Sequence, residues 1–196
     1  MPSISLSDIP GLWRRFLIDL TFAKDYPIGY IDLPGLSPKN AVLEQLLPSL
    51  LHIKAVAILD HTLRVWIDAK GMMVPKKPYG TDLKGRINFL ADNNILSNRS
   101  ILHTLRGLRN DLAHEPQEAI NWSDLDRDVA TVNDGLKDLQ LVGDMLYYEI
   151  FSECSGAQES PDPNVNCIFH YRIAVSEAGK IVAEIKWSRS LLNDDA

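Results

Sequence analysis

Apolar residues recur at spacings of three and four through the first three quarters of the chain, then switch to alternation near the C-terminus. The first pattern predicts helices and the second predicts strands. Ser7-Asp8 is placed to cap a first helix running to about Lys24, with Leu12, Phe16 and Leu20 on one stripe. A turn-rich stretch follows from Tyr26 to Pro38, carrying Pro27, Gly29, Pro34 and Gly35. Ser37 offers an N-cap and Pro38 a first-turn residue for a long helix that Gly71 stops near Lys70. Its inward positions are Val42, Leu46, Leu50, Ile53, Ala57, Leu63 and Ile67, and Pro48 either kinks it or sets its true start. Thr81 or Asp82 opens a third helix, Leu83 to about Asn93, with Ile87 and Leu90 inward. Ser97 opens a fourth, Asn98 to about His114, ahead of Pro116. Ser123-Asp124 starts a fifth with Leu125, Val129, Val132, Leu136, Leu139 and Val142 inward, reaching as far as Phe151.

The tail reads differently. Phe169, Tyr171, Ile173 and Val175 alternate with polar residues, as do Ile181, Ala183, Ile185 and Trp187. Glu177-Ala178-Gly179-Lys180 between them is a hairpin turn signal. The predicted organisation is mainly α: a helical bundle over residues 1–153, a polar linker over 154–164, and a β-hairpin over 165–190. A lone hairpin is marginal in water, so it must pack on its own bundle or on another chain.

Composition adds boundaries. A chain of 196 residues with 45% hydrophobic and 23% charged residues can bury a core without covalent staples. Cys154 and Cys167 lack metal or redox spacing and read as free thiols of a reducing compartment. No signal peptide is expected, because Trp13-Arg14-Arg15 interrupts the early apolar run; Pro48, His52 and Lys54 break the run from Leu46 to Leu59, so no membrane span is expected either. The chain is therefore expected in the cytoplasm. No Cys/His cluster or glycine-rich phosphate loop is present in the sequence, so neither a metal nor a cofactor is expected.

The formal net charge of −6 disfavours a general nucleic-acid binder. The charge is uneven, however: Lys76 to Asn110 holds seven basic residues against Asp82 and Asp92. Such a segment is either a local anion-binding face or a solvated face neutralised from elsewhere in the fold.

The fourth helix concentrates the chemistry. On a helical projection Ile101, Leu105, Leu108 and Leu112 fall within about 60° and form the expected core stripe. His103, Arg106, Arg109, Asn110 and His114 lie on a separate arc of about 140°. Arg106, Asn110 and His114 follow one another at intervals of four, with Arg109 beside them and the small Ala113 near the middle. A fixed cation beside a titratable imidazole suits chemistry on a phosphodiester. The same residues also make an ordinary polar face and helix end. Asp60-His61 on the long helix is a further candidate, read as a surface ion pair. Trp66, Trp122 and Trp187 read as core or interface anchors, and Phe169, Tyr171 and Trp187 as an aromatic hairpin face.

The stretch from Leu102 to Glu115, with its Arg109-Asn110-x-x-x-His114 pattern, resembles the motif helix of the HEPN superfamily. Residues 83–97 resemble the helix and turn that precede that motif, and the likeness covers roughly residues 38–150, leaving the hairpin outside it. The resemblance implies a four- to five-helix bundle. It also implies a metal-independent endoribonuclease of toxin or host-defence type, with an RNA substrate, a homodimer with one composite cleft, and an antitoxin or other regulatory protein as a possible partner. Carried over by position, His114 would be the general acid/base and Arg109 would stabilise the phosphoryl oxygens. Asn110 would orient the phosphate or the histidine, and the product would be a 2′,3′-cyclic phosphate. Arg106, His103 and Arg99 are candidate RNA contacts by helical geometry. One departure is Pro116, where some toxins of the family carry a modifiable tyrosine. Many members are non-catalytic modules for protein or RNA binding and dimerisation. The acidic net charge favours that alternative, and the intact motif favours the nuclease.

Overall fold

The computed structural model describes residues 5–25, 38–115, 119–159 and 165–192. Five helices pack together and a three-stranded antiparallel sheet follows. The elements are α1 (Ile9–Asp25), α2 (Pro38–Ala69), α3 (Leu83–Asp92), α4 (Arg99–His114), α5 (Trp122–Asp138), β1 (Glu149–Glu159), β2 (Val165–Glu177) and β3 (Lys180–Leu192). Their contacts divide the chain into two compact units, Met1–Phe16 with Asp32–Met145, and Leu17–Ile31 with Leu146–Ala196.

The first unit is organised around α2. This helix runs unbroken through the buried Pro48 and ends where Gly71 adopts a positive φ of 64°. By length and composition its stretch Leu46–Ala69 would suffice to cross a membrane, contrary to the broken run expected; half of it is buried inside the protein. Leu59 and Leu63 of α2, Leu102 and Leu105 of α4, and Leu125 and Leu136 of α5 are almost fully buried. Each such side chain contributes roughly 1.5–3 kcal/mol over an exposed one. Gly135 of α5 faces Leu59 and Leu102: a Cβ there would stand 3.6 Å and 3.8 Å from them, at ordinary van der Waals contact.

Several polar groups inside this unit are partnered across its helices. Trp13 stacks on Phe16 at 5.0 Å and donates its indole N–H to Asn133 Oδ1 at 2.9 Å. Asn133 in turn donates to the Gly143 carbonyl at 3.3 Å. Trp66 donates to the Leu139 carbonyl at 3.2 Å. Ser97 does not cap α4, whose N-cap is Asn98; its N–H and hydroxyl donate instead to Asp138 Oδ2 at 2.9 Å and 2.8 Å, tying the start of α4 to the end of α5.

Two expectations are corrected. First, α5 stops at Asp138 and does not reach Phe151. Leu139 is buried as its spacing implied, but it sits in the cap turn, and Gln140 has a φ of 59° that ends the helix. Second, residues 149–159 form a strand rather than a helix end and linker, so the tail is a three-stranded meander rather than a hairpin. Residues 160–164 of the expected linker lie outside the described residues.

The β2–β3 turn is as expected. Glu177 pairs with Lys180 across Ala178 and Gly179, whose φ values of 50° and 78° match the twist of a two-residue hairpin. β2 is central, between β1 and β3. Its consecutive residues Ile173, Ala174, Val175 and Ser176 are all buried, so both faces of this part of the strand are covered. Arg172 crosses the sheet, donating to Glu153 of β1 at 3.3 Å and Glu184 of β3 at 3.0 Å.

Candidate functional site

The core stripe of α4 is rotated from the one read by spacing. Leu102 and Leu105 are buried and Leu108 and Leu112 half-buried, whereas Ile101 is 49% exposed. The rotation leaves Arg106, Arg109 and Asn110 half-buried rather than fully solvated. All three line a cleft of about 610 Å³.

The opposite walls come from elements that sequence spacing left apart. α2 contributes Asp60, His61 and Arg64 above the small floor of Val56 and Ala57. The start of α3 contributes Thr81, Asp82, Leu83 and Arg86. Asp82 caps α3 by accepting from Gly85 N–H at 2.9 Å, so this wall is a fixed helix N-terminus. Arg86 is held by Asp60 and by the Thr81 carbonyl. The expected surface pair at Asp60-His61 is thus replaced by two contacts: Asp60 pairs with Arg86, 26 residues away, and His61 Nδ1 lies 3.1 Å from Arg64 Nη2.

Four arginines face two aspartates in the cleft. Asp60 neutralises Arg86 and Asp82 caps the helix, so the local balance is positive although the whole protein is acidic. Arg109 donates to Asn110 Oδ1 at 3.1 Å, which orients the amide with its N–H₂ group away from the guanidinium. Among the described residues, no carboxylate pairs with Arg106 or Arg109, and Arg106 Nε has no hydrogen-bond acceptor. Donors outnumber acceptors here, so the cleft suits an acceptor-rich anion.

The other sequence candidates lie elsewhere. His114 is exposed in the last turn of α4, beside the exposed Ala113, and does not line the cleft. Arg99 is committed to an ion pair with Asp92, to which Tyr79 also hydrogen-bonds. His103 Nε2 lies 2.8 Å from Asn88 Oδ1. Burial holds the His103 pKa below its ordinary value, aided by the charges of Arg106, Lys84 and Arg99. A neutral imidazole engaged with an amide adds little to anion binding. Trp66 is a buried core anchor and Trp122 is half-buried, while the side chain of Trp187 lies outside the described residues. Comparison of the chain with protein-family models, with curated proteins and with solved structures found no match.

Arg64 and Arg86 were the cleft residues not singled out as site candidates. Arg64 lies four residues beyond Asp60 on α2, a spacing that in isolation reads as an ordinary solvated helix face. Only the packing of α2 against α3 and α4 brings it to the motif residues.

Proposed function

We propose that this protein is a metal-independent endoribonuclease of the toxin or host-defence type, of HEPN character, acting as a cytoplasmic homodimer. The observation that carries the reading is the meeting of Arg106, Arg109 and Asn110 in one positively charged cleft of an acidic protein. In this reading Arg109 binds the non-bridging oxygens of a phosphodiester and stabilises the charge that develops on them. Asn110 orients the same group. His114 takes the proton of the 2′-hydroxyl as its oxygen attacks phosphorus. The P–O5′ bond breaks and the 5′-oxygen leaves, taking a proton from solvent water, giving a 2′,3′-cyclic phosphate. Because His114 is exposed and outside the cleft lining of its own chain, the reading takes this imidazole from the last turn of a second copy.

The position of His114 also supports a second reading, a non-catalytic module that binds RNA or protein through the same bundle. Incubation of the purified protein with single-stranded and structured RNA in EDTA separates the two. The nuclease reading expects cleavage that is lost in His114→Ala and Arg109→Lys. Cleavage that requires magnesium, or that survives in both variants, overturns the site. No cleavage of any RNA leaves the binding module.

A further inference from the structure

We propose that one chain carries by itself a sequence-independent binding site for a nucleic-acid sugar–phosphate backbone, built from Arg64 of α2 and Arg86 of α3 together with Arg106 and Arg109 of the motif helix. The inference rests on the reading that the ligand is RNA, and it separates binding from cleavage. Three observations carry it. The four guanidinium groups come from three different helices that are packed together, so the site is a feature of the fold and not of the motif alone. Arg86 is already positioned, held by Asp60 and the Thr81 carbonyl, while Arg106 and Arg109 keep their charge unpaired by any carboxylate among the described residues. The lining contains no Phe, Tyr or Trp on which a base could stack; its one ring, His61, is engaged with Arg64, and its apolar members are Val56, Ala57 and Leu83. Guanidinium forks match phosphate oxygens, whereas the acceptors that could read a base edge are already engaged: Asp60 with Arg86, Asp82 with the Gly85 N–H and Asn110 Oδ1 with Arg109.

The site should therefore take RNA and DNA single strands of equal length alike. Cleavage of the bound strand requires the 2′-hydroxyl and His114, so DNA should compete without being cut.

The experiment is fluorescence anisotropy with labelled oligo-U, oligo-A and a deoxy oligonucleotide. It uses the full chain carrying His114→Ala, so that RNA survives, over a range of salt concentrations. The expected result is similar affinity for all three strands. Adding Arg64→Ala weakens each by about tenfold, the scale of one lost charge-assisted hydrogen bond. It also lowers the magnitude of the salt slope by about 0.7, one phosphate contact on a single strand. Lys180→Ala, an equal charge change at the β2–β3 turn, leaves affinity unchanged. Circular dichroism verifies folding of each variant.

An Arg64→Ala chain that binds as tightly as its parent, or a strong preference for one base, overturns the inference. Cleavage by the wild-type chain, run in parallel, keeps the two readings apart. If it cuts RNA and Arg64→Ala has no effect on binding, this site falls and the nuclease stands. If it cuts nothing yet binding follows the arginines, the nuclease falls and the site stands.

Discussion

His52 of α2, fully buried, holds its Nδ1 3.0 Å from Asp128 Oδ2 of α5, and its Nε2 3.3 Å from the Leu105 carbonyl of α4. One imidazole thus joins three helices at polar contacts inside an apolar core. The Leu105 carbonyl is also the position to which the helical N–H of Arg109 returns four residues on, so this side chain braces the turn that carries the motif arginine.

Removing one member of the pair should be costly, because the other is left buried without its partner. Asp128→Ala is expected to lower unfolding free energy by about 1–3 kcal/mol, the cost of a buried polar group left without its partner. The double variant with His52→Leu should be less destabilised than the sum of the singles, by a coupling of about 1–3 kcal/mol. Urea denaturation of the four proteins measures the cycle, and strict additivity would deny the interaction.

Gly85 sets the α3 wall of the cleft. It is buried in the first turn of α3, and a Cβ there would collide with the backbone carbonyls of Tyr79 and Gly80. Helix propensity alone would favour alanine by about 1 kcal/mol. Backbone cannot yield as a side-chain tip can, so the overlap should win. Gly85→Ala is expected to destabilise by about 1–3 kcal/mol. Thermal unfolding against Gly11→Ala, where a Cβ meets nothing within 4 Å, is the check.

The helices were legible because their ends carry local signals: Pro38 and Gly71 bound α2, Asp82 caps α3, and Pro116 follows α4. The motif face was legible for the same reason, since Arg106, Arg109 and Asn110 share an arc by period alone. The remainder depended on packing. Ile101 and Leu102 are adjacent, 100° apart around the helix, and only the neighbours of α4 decide that Leu102 is the buried one. Asp60 looked like a partner for its neighbour, but its counterion arrives from α3. β1 was missed because Ser152, Glu153, Ser155 and Gln158 are weak strand formers; their strand state comes from pairing with β2.

His103 makes stability depend on pH. Its folded pKa lies below the ordinary value near 6.5, chiefly through burial. The unfolded chain therefore binds the proton more readily, and stability rises with pH across that window. The contribution is fully present above the unfolded pKa and is lost as pH falls through it toward the folded one. Urea unfolding between pH 5 and 7.5 should show this slope, and His103→Gln should show less of it. An unchanged slope would mean that other groups cause it.

The last expectation concerns the motif itself, on the proposed nuclease reading. His114 is exposed and bears no core contact, so His114→Ala should change stability by less than about 0.5 kcal/mol. Its effect on rate should be far larger, about 10² to 10⁴, the range for loss of a general acid/base. Arg109→Lys keeps the charge yet loses the planar fork that spans two phosphate oxygens, so a substantial loss is expected there too. If His114 comes from the second copy, mixing Arg109→Lys with His114→Ala protein should restore part of the activity, because a mixed dimer holds one site with both residues intact. Size-exclusion chromatography with light scattering would establish the dimer, and a rate titration at fixed total protein would measure the rescue. No rescue from a verified mixed dimer would place both residues of each working site on the same chain.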